Sequence, residues 1–284
     1  MSVQTYNGFV DIWTQAALDS VLSIPARVPI LAISGLQGSG KSTLAAQIVA
    51  AATTHSLHAA ALSIDDFYLP RARRRDLART VHPLLATRGP PGTHDLPLML
   101  DTLDAVRNGE RPSLPRFDKL ADDRLPRADW TSLDRPLDLL VFEGWFLQTP
   151  PQPEHELLAP INALERREDA GGQWRHWCNE ALAHAYPAVW ARLDILWFLQ
   201  PPGFDIVTDW RWQQEQALQA ARSGRTGMTR AQVQRFVQHF ERVSRQALRE
   251  LPGIAGHTLA LDSQRRIISH SAHARTGSPP PAHD

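Results

Sequence analysis

The chain has 284 residues, 43% of them apolar, and carries 30 Lys plus Arg against 30 Asp plus Glu, for a formal net charge of zero. That length supports one large domain or two small ones around a sizeable core, and one domain with insertions fits better. A neutral chain has no global field to recruit nucleic acid or an anionic membrane, so small-molecule partners are expected; composition carries no signal for an oligomeric state.

Residues 8–23 place Phe9, Ile12, Trp13, Ala16, Ala17 and Val21 near helical spacing, and Pro25 closes the pattern, so a packing helix is expected. The next stretch, Val28 to Leu44, is the strongest signal in the chain. An apolar strand breaks into Gly35-Leu-Gln-Gly-Ser-Gly-Lys-Ser42 and restarts as a helix, which matches the phosphate-loop pattern G-x-x-x-x-G-K-[ST]. Gly35, Gly38 and Gly40 let successive backbone N–H groups turn inward as a nest for an anion, and the helix adds the positive end of its dipole. Lys41 then reaches the β- and γ-phosphates, the Ser42 hydroxyl is placed to ligate Mg²⁺, and Thr43 packs or caps. The expected nucleotide-binding set is Gly35, Gln37, Gly38, Ser39, Gly40, Lys41, Ser42 and Thr43, with ATP and Mg²⁺ as the implied nucleotide and metal.

Ala59 to Ile64 reads as a short buried parallel strand ending in Asp65-Asp66, and ligands of such sheets sit beyond the carboxyl ends of the strands. Residues 67–136 then form a polar, proline-studded insertion, far longer than the usual connection of about 2–6 residues. Within it, Thr93-His94-Asp95 leads into a helix through Leu96, Met99, Leu103 and Val106 that Asn108-Gly109 should stop, and residues 116–124 read as a loop. Leu137 to Phe142 is the third strand, and Glu143 at its end is the counterpart of the metal-organising carboxylate of phosphate-loop enzymes.

Residues 149–172 read as a surface excursion, 174–190 as a helix, and 194–199 as a fourth strand closed by Pro201-Pro202. The single Cys178 excludes an internal disulfide and has no metal-ligand spacing around it, which fits a reduced cytoplasm. A polar helix over 209–222 breaks at Ser223 to Gly227, and Thr229 with Gln232 reads as a capping box opening a periodic helix that Pro252-Gly253 stops. His257 to Leu261 is the fifth strand, and the stretch from about His270 to residue 284 reads as a disordered tail. No apolar run approaches the roughly 18 residues that span a bilayer, and the N-terminus lacks a secretory pattern. Five strands alternating with helices predict an α/β fold, a five-stranded parallel sheet with helices on both faces, in one domain over residues 1–269.

Chemistry narrows the reading. A kinase for a small alcohol needs a carboxylate near the γ-phosphate, an enclosed acceptor pocket and cations over the transferring group. Asp65, the insertion and the Arg-rich polar helix can supply all three. The run Arg71-Ala-Arg-Arg-Arg75 reads as a solvated face and His176, His184 and His239 as surface or satisfied residues.

Six stretches in order, Gly35 to Ser42, Ser63-Ile-Asp-Asp-Phe-Tyr68, Arg88-Gly-Pro-Pro-Gly-Thr-His-Asp95, Pro115-Arg-Phe-Asp-Lys119, Phe142-Glu-Gly-Trp145 and Trp210-Arg-Trp-Gln-Gln-Glu215, resemble the phosphate-loop D-glycerate 3-kinase family. The resemblance covers about residues 30–262 and extends more distantly to uridine kinase, phosphoribulokinase and bacterial pantothenate kinase. It implies Asp65 as catalytic base with Asp66 behind it near the substrate, and Glu143 as the organiser of Mg²⁺ through water. His94 and Asp95 fall in the acceptor-binding part, although Asp95 serves equally as the N-cap of the next helix. Arg88, Lys119 and Arg124 are three candidates for the partner of an acid acceptor's carboxylate. Arg211 matches the family's Arg, and one of Arg211, Arg222 and Arg225 would close over the phosphates from a lid at about 205–228. Trp210 and Trp212 read as packing residues. The expected activity is transfer of the γ-phosphate of ATP to a small hydroxy acid, most simply D-glycerate. A nucleoside or pantothenate-like acceptor, or a regulatory NTPase whose output is its conformation, are the other readings.

Overall fold

The computed structural model describes residues 8–220 and 227–273. In chain order the elements are α1 (Asp11–Leu22), β1 (Ile30–Gly35), α2 (Lys41–Thr54), β2 (Ala59–Ser63), α3 (Arg71–Thr80), α4 (Leu96–Arg107), β3 (Phe117–Asp118) and β4 (Asp123–Arg124). There follow β5 (Leu139–Gly144), α5 (Ala163–Glu168), α6 (Gln173–Glu180), α7 (Pro187–Trp190), β6 (Ile195–Gln200), α8 (Ile206–Ala220), α9 (Arg230–Ile254), β7 (His257–Leu261) and β8 (Ile267–Ala272).

The main sheet has the order β2-β5-β1-β6-β7-β8, and its first five strands are parallel. Successive residues of a strand point to opposite faces, and here both faces are covered, which is why the strands read as continuous apolar runs. Ile30 and Ala32 of β1, Leu140 and Phe142 of β5, and Leu196 and Phe198 of β6 enter one core with α4 and α9. Leu31 and Ile33, Leu139 and Val141, and Trp197 and Leu199 enter the other with α1 and α2. The α/β arrangement with helices on both faces is therefore as expected.

Two differences concern strands. A sixth strand, β8, runs antiparallel to β7 along the sheet edge, so residues 270–272 are not part of a patternless tail. Only Ile267 of β8 is even half-buried, so the strand has no apolar periodicity to betray it. Its turn is fixed instead by Asp262, whose Oδ1 accepts from the backbone N–H groups of Gln264 and Arg266 at 2.8 and 2.9 Å. Residues 274–284 of the expected tail lie outside the described residues. Residues 116–124, expected as a loop, fold into the β3–β4 hairpin, whose register pairs Phe117 with Arg124.

Arg74 corrects the reading of the arginine run. It is 1% exposed and donates to the carbonyls of Leu69, Ala86 and Asp122 at 3.1, 2.7 and 2.7 Å, so it ties α3 to the hairpin; Arg71, Arg73 and Arg75 are exposed. The helix over 174–190 is interrupted by a π-turn at Ala181–Ala185, and α9 carries Pro252 inside its last turn. Among the described residues no helix is long and apolar enough to cross a membrane.

Register decides what meets at the sheet's carboxyl edge. Glu143 of β5 lies level with Ile33 of β1 and Ser63 of β2. The turn after β1, the residues after β2 and the end of β5 therefore open onto one place.

Candidate active site

The turn after β1 takes the geometry of an anion cradle. Gly38 and Gly40 sit at φ of +81° and +98°, and Gly40 is the left-handed N-cap of α2. A Cβ on Gly38 would stand 2.6 Å from Cβ of Trp210, so only glycine lets the loop lie against α8. Trp210 is buried and donates from Nε1 to the Ser263 carbonyl at 2.8 Å, the packing role expected of it. Arg265 adds a support with no sequence signal, reaching from the β7–β8 turn to the Gly38 carbonyl at 2.5 Å.

Lys41, on the first turn of α2, is buried, and its Nζ donates to the Leu36 carbonyl at 3.1 Å. Burial lowers the pKa of its ammonium against the opposing pull of Glu143 and Asp65. The Ser42 hydroxyl donates to Oε1 of Glu143 at 2.8 Å. Burial raises the Glu143 pKa, with the Lys41 charge working the other way. Both amide atoms of Gln37 and the Ser39 hydroxyl are buried without a hydrogen-bond partner among the described residues, as donors and acceptors of a binding loop would be.

Asp65 stands opposite. Ser63 caps the short 3₁₀ turn Ile64–Phe67, accepting from the Asp65 N–H at 3.2 Å, and so aims the Asp65 carboxylate across the strand ends. Its two oxygens are engaged: the Tyr68 hydroxyl donates to Oδ1, and Lys119 Nζ lies 2.6 Å from Oδ2. Burial pushes the carboxyl up, but the Lys119 charge with the Lys119 and Tyr68 hydrogen bonds outweighs it, and the net shift is downward. Lys119 is raised in turn, chiefly by the Asp65 charge, and Tyr68 is raised well above its ordinary value by burial and then by that charge.

These groups line one cleft of about 600 Å³. Its walls include Gln37, Gly38, Gly40, Lys41, Ser42, Thr43, Asp65, Tyr68, Arg88, Lys119, Glu143, Trp145, Arg211, Phe236 and Phe240. Arg88 reaches it from the insertion, held by ion pairing to Asp122 and by donating to the Lys119 carbonyl at 3.1 Å. Arg211 reaches it from α8, paired to Glu215 at 3.0 Å, with its guanidinium 5.9 Å from the Phe236 ring centroid. Arg222 and Arg225 lie outside the described residues.

Four expected substrate contacts are placed elsewhere. Asp66 turns into the protein: Oδ2 accepts from Arg116 at 3.0 Å and from the Ser63 N–H at 3.3 Å, and Oδ1 from the Phe117 N–H at 3.3 Å. It fastens the hairpin to the end of β2. Asp95 takes the capping alternative, accepting from the Leu98 N–H at 3.2 Å and pairing with Arg124 at 2.9 Å. That pair and the Tyr68 carbonyl at 3.0 Å occupy Arg124 away from the cleft. His94 lies behind Tyr68, ring centroids 5.0 Å apart, with Nδ1 2.6 Å from the Tyr186 hydroxyl; burial drives its pKa down to about 3. His94 therefore supports the wall of the cleft in its neutral form. Tyr68, Trp145, Phe236 and Phe240, by contrast, line the cleft without having been singled out. Tyr68 had a signal, following Asp65 by three residues in a turn, whereas the two phenylalanines share the periodicity of any packed helix.

Among the described residues no group of three or more His, Cys, Asp or Glu side chains is arranged to hold a metal ion. The Ser42–Glu143 pair offers one hydroxyl and one carboxylate beside the cradle. That hard-oxygen donor set fits Mg²⁺, which keeps several waters and takes the rest of its ligands from phosphates.

No protein-family model matches the chain. Among known proteins it is similar to the uncharacterized kinase mug58 of Schizosaccharomyces pombe, 33% identical over 220 residues that cover 74% of this chain and 78% of that one. It is 31% identical over 225 residues to the chloroplastic D-glycerate 3-kinase of Arabidopsis thaliana, covering 74% of this chain and 46% of that one. Among solved structures, D-glycerate 3-kinase from Cryptococcus neoformans superposes with a TM-score of 0.74 at 26% identity, over 94% of this chain and 100% of that one.

Proposed function

The chain belongs to the phosphate-loop kinases that include D-glycerate 3-kinase, it is an ATP-dependent phosphotransferase for a small molecule, and we propose that its acceptor is D-glycerate. The observation that carries the acceptor class is that two cations, Arg88 and Lys119, line the same cleft as Asp65 and the phosphate cradle. A hydroxy acid presents a carboxylate to those cations and a hydroxyl to Asp65, whereas a neutral acceptor has no charge for them to meet.

In this reading the loop amides and Lys41 hold the phosphates and meet the charge that develops on them. Ser42 and Glu143 would hold Mg²⁺, which would supply neutralisation of the phosphate charge. Asp65 accepts the proton of the acceptor hydroxyl, that oxygen bonds to the γ-phosphorus, and the bond to the β-bridging oxygen breaks to release ADP. Arg211 covers the transferring group from α8, and Trp145, Phe236 and Phe240 exclude water. ADP release measured with D-glycerate, uridine, pantothenate, ribulose 5-phosphate and no acceptor tests the assignment. Strong stimulation by D-glycerate supports it, and stimulation by uridine or pantothenate alone overturns the acceptor while leaving the phosphotransferase.

A further inference from the structure

The two oxygens of Asp65 are both taken, one by the Tyr68 hydroxyl and one by the Lys119 ammonium 2.6 Å away. Each oxygen keeps a second lone pair, but an ammonium held at Oδ2 stabilises the charged carboxylate and so makes it a weaker acceptor for the proton of an incoming hydroxyl. Tyr68 is buried and wedged against His94 and Phe117, at ring distances of 5.0 and 5.1 Å, so its bond to Oδ1 is fixed. Lys119 is the opposite case. It sits at the tip of the β3–β4 hairpin with its side chain 58% exposed, on a flexible stem whose partner is 24% exposed. Exposed pairs of this kind are worth little and exchange partners readily.

We propose that Lys119 is an acceptor-operated latch: the carboxylate of an acid acceptor draws the ammonium off Asp65 Oδ2, and only then does that oxygen receive the hydroxyl proton. This rests on the reading of the acceptor as a hydroxy acid, and it adds that the acceptor's charge gates the base as well as anchoring the molecule. The neighbours allow the exchange. Arg88 lines the same cleft and is held by Asp122 and the Lys119 carbonyl, so it offers the acceptor carboxylate a second cation while Lys119 moves. Arg116 and Arg124, the arginines at the hairpin's base, are committed to Asp66 at 3.0 Å and to Asp95 at 2.9 Å and do not compete. Selectivity for acids over neutral polyols then comes from two sources in one residue, attraction of the acid and masking of the base against everything else.

The test compares wild type with Lys119→Met on three acceptors: D-glycerate, glycerol, and water as acceptor-independent ATP hydrolysis. A cation that only binds the acid predicts a loss with D-glycerate and no change with the other two. The latch predicts the same loss with D-glycerate but a gain of roughly fivefold with glycerol and with water, the size of an exposed ion pair. Lys119→Arg keeps a cation in place and is expected to restore the low rates with glycerol and water. Unchanged or reduced rates with glycerol and water in Lys119→Met overturn the latch, as would a loss shared by all three. Failure of the acceptor assignment reads differently: wild type would then show no stimulation by D-glycerate, and the water rate would still report whether Lys119 masks Asp65.

Discussion

The Ser42 hydroxyl donates to Glu143 Oε1 at 2.8 Å, joining the first turn of the helix after the phosphate loop to the end of a strand a hundred residues on. The contact exists because β1 and β5 are paired with Ile33 level with Glu143. It brings the two oxygen donors offered for Mg²⁺ to one point. Glu143→Gln keeps an acceptor for Ser42 and removes the charge. We expect the Mg²⁺ concentration for half-maximal ADP release to rise by roughly 10–100-fold, read from a metal titration, with the thermal midpoint little changed.

Gly38 is fixed by Trp210. A methyl group there would meet the Trp210 Cβ at 2.6 Å in a backbone conformation with φ of +81°. Gly38→Ala should cost about 1–3 kcal/mol of stability and weaken ATP binding, because loop or helix must shift. Denaturant unfolding with and without ATP measures both, and a variant matching wild type in each would contradict the packing described.

His94 predicts a pH dependence. Its ring, ordinarily near 6.5, is held down to about 3 by burial. Between those values the unfolded chain binds a proton that the native ring does not, so stability falls as pH drops, by up to about 1.4 kcal/mol per pH unit. His94→Gln keeps a partner for the Tyr186 hydroxyl without a titrating ring. Its unfolding midpoint should fall less steeply than wild type between pH 6.5 and 4.

Arg242 on α9 and Glu165 on α5 form a buried bidentate pair, at 2.8 Å from Nε and 2.6 Å from Nη2. Arg242 also donates to the carbonyls of Glu156 and Ala159, at 2.9 and 2.8 Å. Arg242→Ala strands a buried carboxylate and should cost about 3–5 kcal/mol in chemical unfolding. Adding Glu165→Leu should recover a substantial part, because the unpaired charge is then gone.

What was legible in the sequence follows from where the constraint is written. Gly35 to Ser42 is readable because phosphate binding demands glycines, a lysine and a hydroxyl at fixed steps in one short turn. The parallel strands are readable because both faces are buried, so every residue of β1 is apolar or small. Strand β8 is not, since an exposed edge strand needs no apolar pattern and its hairpin is held by Asp262. Within the site, Asp65 and Glu143 follow from their places at strand ends. Asp66, Asp95 and Arg124 are charged residues beside the same motifs but are spent on the hairpin and a helix cap, because partners such as Arg116 are chosen by the fold of the insertion. A charged residue near a motif reveals that it is polar, and only the backbone around it decides which way it faces.

The proposed phosphoryl transfer depends on Asp65 as the group that receives the acceptor's proton. The most direct measurement is D-glycerate-dependent ADP release by Asp65→Asn, beside a nucleotide-binding measurement on the same protein. A general base at Asp65 predicts a fall in kcat of roughly 10²–10⁴-fold with ATP affinity retained. Acceptor-dependent release at the wild-type rate in a variant that still binds ATP would contradict it.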